Sequence, residues 1–359
     1  VKQPDAVLNI AGKAIGEHSP TYFIADIAAN HDGDLERAKD LIYMAAEAGA
    51  DAAKFQHFKA ATIVSDHGFK NLGGQQSHQA TWKKSVFEVY ADASVPLLWT
   101  STLKETCDKA GIAFFTSPYD KALVDHIAPF VPAFKIGSGD ITWLEIIEYI
   151  AAQQKPYIIA TGASSMDEVD RAVQAALAIN TQLALLQCNT NYTASLENFK
   201  YIQLNVLKCY RAMYPSMVLG LSDHTLGHTT VLGAVALGAR MIEKHFTDDI
   251  QREGPDHGFS MSPQAWRDMV QATRELENAL GNGIKRVEEN EKQTAVLQRR
   301  SVRLTQDVAS GTELTSEHVT VLRPCPAGSI SAADLSLVPG KKILRDAKQG
   351  EHLHWSDLA

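Results

Sequence analysis

The chain has 359 residues, 45% hydrophobic and 21% charged, a balance that permits a large buried core and argues against intrinsic disorder. A formal net charge of −8 with no Lys/Arg block argues against a nucleic-acid partner, while leaving room for a local basic pocket that an anionic substrate would need. No run of about 20 apolar residues suggests a membrane partner, the first residues lack the apolar core of a signal peptide, and the scattered Cys107, Cys188, Cys209 and Cys325 form no C-x-x-C pair, so the expectation is a cytoplasmic protein with reduced thiols.

In chain order, short and nearly continuous apolar runs occur at 22–29, 52–56, 112–117, 133–137, 157–161, 183–188, 218–222 and 241–246. Such runs suit strands buried on both faces, as in parallel sheets. Amphipathic helical patterns lie between them, for instance at 35–48, 144–152, 166–179 and 229–237, and Gly49, Gly111 and Gly238 stand where helices should stop. Eight βα units in sequence predict a (β/α)8 TIM barrel over residues 1–282, with 266–280 as its last helix. A doubly wound open sheet is the alternative, but no Gly-rich dinucleotide fingerprint follows the first strand. The charged segment 283–300 reads as a linker, in part helical. Beyond it, β-like runs at 301–304, 311–314, 319–322, 341–344 and 350–353, broken by turns and prolines, predict a small β-rich domain over 301–359.

Barrel enzymes work at the C-terminal ends of their strands. Those ends carry Asp26, Lys54 with Gln56, Thr116-Ser117, Lys135 with Ser138-Gly139-Asp140, Thr161-Gly162, Asn189 with Tyr192, Ser222-Asp223-His224, and His245. A lysine inside Ala-Ala-Lys-Phe-Gln or Ala-Phe-Lys-Ile-Gly faces a large desolvation cost unless an anion neutralises it. Lys54 and Lys135 on two strands therefore favour a bound anion over lysines that merely snorkel or pair with a carboxylate. A Schiff-base lysine is a further possibility. His224 and His245, one βα unit apart, would aim two imidazoles at one point, which suits a divalent metal with open positions more than two unrelated rim histidines. The Ser-Gly pairs offer hydroxyls and backbone N–H groups of the kind that cradle a phosphate. The turn-rich stretch 251–258 is either a solvated loop or a loop closing over a polar substrate through Asp256.

Asn30-His-Asp-Gly, Lys135-Ile-Gly-Ser-Gly-Asp, Gly220-Leu-Ser-Asp-His-Thr, Glu243-Lys-His-Phe-Thr and Gly254-Pro-Asp resemble the motifs of the sialic acid synthase (N-acetylneuraminate synthase) family, which includes the legionaminic and pseudaminic acid synthases. Arg299-Arg-Ser-Val, Arg323-Pro and Gly340-Lys resemble that family's C-terminal antifreeze-like (SAF) domain, so the likeness covers nearly the whole chain. The resemblance implies condensation of phosphoenolpyruvate with an N-acylated hexosamine in its open-chain aldehyde form. C3 of phosphoenolpyruvate attacks the metal-polarised aldehyde, water adds at the cationic C2, and phosphate leaves by C–O cleavage. It also implies a divalent ion, Mn2+ or Mg2+, on His224 and His245. Phosphoenolpyruvate would lie on Lys54, Lys135, Ser117, Ser138, Ser222 and Tyr192, and the sugar would face Gln56 and Asp256. A domain-swapped homodimer would lend Arg323 to the neighbouring active site. Asp26 and Asp140 stand where the family usually has Glu, retracting each carboxylate by about 1.5 Å, and Thr190 stands where Asn is common. These departures bear on which sugar is accepted. Related readings are an octulosonate-type synthase, which would need further basic residues for a second phosphate, a metal-dependent hydrolase, for which the first strand lacks the expected His-x-His, and a glycan- or ice-binding protein, which would leave the polar strand ends unexplained.

Overall fold

The structure is a computed structural model that describes residues 2–72, 79 and 82–359. It divides after Gly281 into two compact units. The first opens with a hairpin, β1 (Val7–Ile10) and β2 (Lys13–Gly16), that the sequence pattern did not reveal. Four-residue strands hold too few alternations to register. Eight parallel strands follow: β3 (Tyr22–Asp26), β4 (Ala52–His57), β5 (Ala113–Pro118), β6 (Phe134–Ile136), β7 (Tyr157–Ala160), β8 (Leu183–Cys188), β9 (Val218–Asp223) and β10 (Met241–His245). Their ladder runs β5-β4-β3-β10-β9-β8-β7-β6, and β5 lies beside β6 at the seam, giving the expected (β/α)8 barrel. The first strand is shorter than expected because Ile27, Ala28 and Ala29 stay buried after leaving the ladder, so their apolar character extends the run.

The helices are α1 (Leu35–Glu47), α2 (Ala60–Ile63), α3 (Asp66–Asn71), α4 (Val86–Ala93), α5 (Thr100–Ala110), α6 (Lys121–Ile127), α7 (Leu144–Ala151), α8 (Met166–Ile179), α9 (Val206–Met213), α10 (Thr229–Ala236) and α11 (Pro263–Leu280). Their starts follow local chemistry. The Asp34 carboxylate accepts from the Glu36 and Arg37 N–H groups at the head of α1, Ser165 and Glu168 form a capping box on α8, and Pro263 follows the Ser262 cap of α11. Buried Ala38, Leu41, Ile42 and Ala45 form the stripe that lays α1 on the sheet. Gly111 ends α5 at φ +74°, in the left-handed region where a Cβ is costly.

Strand side chains alternate between two cores. Phe23, Phe55, Phe114, Phe134, Ile159 and Leu185 face outward into the helix layer. Tyr22, Ile24, Phe115, Ile158, Leu186 and Met241 face inward, where Leu8, Ile10 and Ile15 of the hairpin join them and seal the N-terminal end of the cylinder. In the second unit, α12 (Lys292–Gln298) occupies part of the segment expected as a linker. Next, β11 (Ser301–Leu304) pairs antiparallel with β12 (Val319–Leu322) over a core that includes Val302, Leu304, Leu314, Ile330, Val338 and Leu353. The runs expected at 311–314, 341–344 and 350–353 contribute only isolated bridges, such as Glu313 with Lys342 and Arg303 with His352. Gly311, Gly340 and Gly350, all at positive φ, turn the chain before a ladder can extend. Among the described residues no helix is long and apolar enough to cross a membrane, and the four cysteines are free.

Ile10→Ala is expected to cost about 2–5 kcal/mol of stability by opening a cavity in the plug. Chemical denaturation should show that loss while kcat stays near wild type, since the plug lies at the end of the barrel away from the polar strand ends. A loss of kcat without a loss of stability would contradict this division.

Candidate active site

Side chains at period two along a barrel strand share its interior. At the C-terminal ends these inward positions hold Asp26 on β3, Lys54 and Gln56 on β4, Ser117 on β5, Lys135 on β6, Ser222 on β9, and Glu243 and His245 on β10. The register sets Asp26 opposite Lys54 on one side and His245 on the other, and Ser222 opposite Glu243. Asp26 Oδ2 therefore lies 2.6 Å from Lys54 Nζ and 3.6 Å from His245 Nε2. Glu243 Oε1 lies 3.4 Å from Lys135 Nζ and 3.7 Å from Lys54 Nζ, and accepts from Ser222 Oγ at 3.1 Å. One carboxylate thus bridges the two lysines.

None of these four charged residues is more than 5% exposed, and their protonation shows the strain of burial. Burial pulls the Lys54 ammonium down, but Asp26 and Glu243 more than reverse this and leave its pKa raised. For Lys135 burial wins over Glu243 and the pKa is lowered, so this cation is under-compensated. Burial would raise the Glu243 carboxyl, yet Lys135 and Lys54 hold it down at about 2. An anion arriving beside Lys135 would supply the missing compensation.

The imidazoles of His224 and His245 stand 5.4 Å apart between ring centroids. Tyr192 meets His224 edge-on at 4.4 Å, and Phe259 packs against both rings, at 5.9 Å and 4.9 Å. Nδ1 of His224 faces the Asn189 carbonyl at 3.1 Å, which places a proton there and leaves Nε2 with its lone pair. Burial lowers both imidazoles to about 3, helped by His245 in one case and Lys54 in the other, so both rings are neutral near pH 7. Two neutral imidazoles, with the buried His245 Nδ1 lacking any hydrogen-bond partner, fit a divalent ion that keeps open positions. Among the described residues no cluster of three His, Cys, Asp or Glu ligands forms.

Loops at the same mouth add polar groups. Ser138 Oγ accepts from the Gly162 N–H at 2.9 Å. A Cβ on Gly162 would lie 2.1 Å from Thr190 Oγ1, so only glycine lets the loops after β6, β7 and β8 close together here. Asp140 is half-buried, and burial raises its carboxyl to about 6 against the pull of Lys135. Gln56 donates to Asp26 at 3.3 Å. Asp256 accepts from the Ala29 N–H at 3.1 Å, and burial raises it to about 7 despite that bond. Its loop is tied down by Asp32, which lies 2.8 Å from Arg252 and 2.9 Å from the buried His257. Asp26 Oδ1, Ser117 Oγ, Thr190 Oγ1, Glu243 Oε2 and His245 Nδ1 are all buried without a hydrogen-bond partner. Orphaned polar atoms are rare in folded proteins, and five in one mouth mark a place made for a polar ligand.

The structure thus gathers thirteen of the fourteen residues singled out from sequence into the barrel mouth. Arg323 is the fourteenth; it sits exposed on the second unit, just after β12. Three neighbours of the site point the other way. Thr116 bonds His57 at 2.7 Å, Thr161 accepts from Tyr210 at 2.9 Å, and Asp223 pairs with Lys244 while accepting from Thr230 at 2.8 Å. Each occupies an outward position and pins the barrel to its helices. Glu243 was missed as a site residue, although the same period two would have found it two places before His245.

Fold and site together define a (β/α)8 barrel whose mouth gathers two buried lysines, a carboxylate that bridges them and an imidazole pair. The chain belongs to the NeuB family, whose model matches residues 41–285, and carries a SAF domain over residues 299–359. It is 33% identical over 352 residues to the N,N'-diacetyllegionaminic acid synthase of Legionella pneumophila, covering 96% of this chain and 97% of the relative. It is also 33% identical to the pseudaminic acid synthase of Campylobacter jejuni serotype O:2, covering 94% and 96%. A crystal structure of N-acetylneuraminic acid (sialic acid) synthetase from Leptospira borgpetersenii, in complex with citrate, superposes with a TM-score of 0.70 at 27% identity, covering 81% of this chain and 96% of that one.

The raised Asp140 pKa sets a stability expectation. A carboxyl with a folded pKa near 6 and an unfolded pKa of about 3.9 contributes stability below pH 4 that is lost as pH rises through 6. Asp140→Asn should therefore gain on wild type between about pH 4 and pH 6 in denaturation midpoints. A pH-independent difference would show that Asp140 is not held in this environment.

Proposed function

We propose that this chain is a sialic-acid-type synthase that condenses phosphoenolpyruvate with an N-acylated hexosamine in open-chain form and releases phosphate. The observation that carries this reading is the set of orphaned buried polar atoms around two lysines bridged by Glu243 and beside two neutral imidazoles. Lys135, under-compensated, and Lys54 take the carboxylate and phosphate of the donor, with Ser117, Ser138, Ser222, Thr190 and Tyr192 completing its cradle. Gln56 and Asp256 take hydroxyls of the acceptor. A divalent ion of manganese or magnesium type, held by His224 and His245, supplies polarisation of the acceptor's aldehyde oxygen when bound. The enol π pair of phosphoenolpyruvate forms the new C–C bond from C3, leaving positive charge at C2. The buried Asp26 and Glu243 carboxylates steady that charge in a setting of low polarisability, and Asp140 orients the water that adds to C2. That water gives one proton to the former aldehyde oxygen, now an alkoxide. The bond from C2 to the bridging phosphate oxygen then breaks, phosphate departs with that oxygen and takes the second proton, and C2 becomes a ketone.

Tyr192 and Phe259 pack against the imidazole pair and present an apolar face to it. On this reading the chain works in the cytoplasm as a swapped homodimer in which the partner's Arg323 reaches the acceptor.

Phosphate release from phosphoenolpyruvate, followed across N-acylated hexosamines, tests the reading. EDTA is expected to abolish turnover and Mn2+ to restore it. His224→Ala should lose on the order of 10²-fold or more in kcat/KM with the fold intact by circular dichroism, the scale of one lost preorganised stabiliser. Turnover that survives exhaustive metal removal would strip the imidazole pair of its assigned part. Arg323→Ala is expected to raise the acceptor KM more than the donor KM, and a wild-type profile would rule out the swapped site.

A further inference from the structure

His224 and His245 come to one point by different means. His245 is a ladder residue of β10, in register with Asp26 of β3. His224 lies one residue beyond the end of β9, where Asp223 is in register with Lys244. The register that fixes His245 thus stops just before His224, whose ring is tethered at Nδ1 on the Asn189 carbonyl at 3.1 Å. Behind the imidazoles, on the outward face of the same strands, Asp223 and Lys244 form an ion pair, and neither residue is more than 2% exposed. The pair grips the residue that follows His224. Asp223 accepts from the Thr225 N–H at 3.3 Å and from its hydroxyl at 2.8 Å, while Lys244 Nζ donates to the Thr225 carbonyl at 2.6 Å. Thr230, in the first turn of α10, donates to the same carboxylate at 2.8 Å.

Resting on the synthase reading above, we infer that Asp223 and Lys244 are positioning residues for the divalent ion: they hold the chain on both sides of His224 and so set its imidazole opposite that of His245. A fully buried ion pair gains little stability over apolar side chains of similar volume, because desolvation offsets most of the attraction. What the pair adds is a single geometry, since any displacement leaves a charge unmatched in a dry setting. Its place in the chain makes that geometry count. Asp223 immediately precedes His224, Lys244 immediately precedes His245, and their register puts both at one level of the barrel. A movement of Thr225 is therefore passed to the His224 ring. A site with two protein ligands has no third to compensate when one ring moves, and groups that orient a ligating imidazole carry a large share of metal affinity.

The test measures Mn2+ affinity by electron paramagnetic resonance titration in the absence of substrates, with Tm and the Tm shift caused by phosphoenolpyruvate recorded for each variant. Asp223→Asn/Lys244→Met removes both charges and keeps an oxygen acceptor for the two threonine hydroxyls. It is expected to bind Mn2+ about 10- to 100-fold more weakly than wild type, the usual effect of losing a group that orients a metal ligand, while phosphoenolpyruvate still raises Tm. Ile10→Ala, destabilised at the opposite end of the barrel, is expected to keep wild-type Mn2+ affinity. Wild-type affinity in the double variant overturns the inference. So does an equal loss in Ile10→Ala, which would make affinity a readout of stability alone, and so does loss of the phosphoenolpyruvate shift, which would mean that the whole mouth is disordered. Thr225→Val keeps both charges and the side-chain shape but removes the hydroxyl that bonds Asp223 and Thr230. It decides the matter where the double variant does not fold: Mn2+ affinity about threefold or more below wild type is expected from that loss, and no change overturns the inference. Failure of the metal assignment has a different signature: wild type binds Mn2+ no better than His224→Ala, which overturns that assignment and this inference with it.

Discussion

Two ammonium groups and two carboxylates are held inside the wall of a closed barrel, and the chemistry of the site follows from how that burial is balanced. Each ion taken singly would cost several kcal/mol to desolvate. Pairing through Lys54–Asp26 and the bridging Glu243 offsets much of this, yet leaves Lys135 short of compensation. In the proposed reaction the donor's negative charge would complete the set. The barrel makes the arrangement possible by supplying rigid neighbours at fixed register, so the four groups cannot drift apart to reach water.

The same cylinder separates stability from function along its axis. Its lower layers are apolar and closed by the β1–β2 hairpin, while its upper layer is polar and incomplete. Outward positions of the same strands carry polar residues too, but these are satisfied. Asp223, Lys244, Thr225 and Thr230 form one such group, and His57 lies between Thr116 and Thr100 in another. Polar strand-end residues thus fall into two groups by the face they occupy: the outward ones named here bond to the helix layer and its loops, and several inward ones leave atoms without a partner.

The shorter carboxylates at Asp26 and Asp140 fit this picture. Asp26 still reaches Lys54, because the β3–β4 register places them side by side, while its second oxygen is left without a partner. The departures from the usual pattern thus fall on two carboxylates and on Thr190, while Lys54, Lys135, His224 and His245 keep their identities.

Much of this was legible in the residue order. Continuous apolar runs separated by amphipathic stretches predict a parallel sheet covered on both faces, and lysines embedded in such runs signal a need for charge compensation. The partners the structure shows are the Asp26 and Glu243 carboxylates rather than the bound anion expected. The motifs around Lys135, His224 and His245 carried the family. Other features depend on residues distant in the chain. Nothing near Glu243 in sequence shows that it spans Lys54 and Lys135, nor that Asp256 meets Ala29 across the mouth, nor that Phe58 and Val89 line one cavity. Such relations arise only when the sheet closes and sets the strand register, since closure alone decides which inward side chains become neighbours.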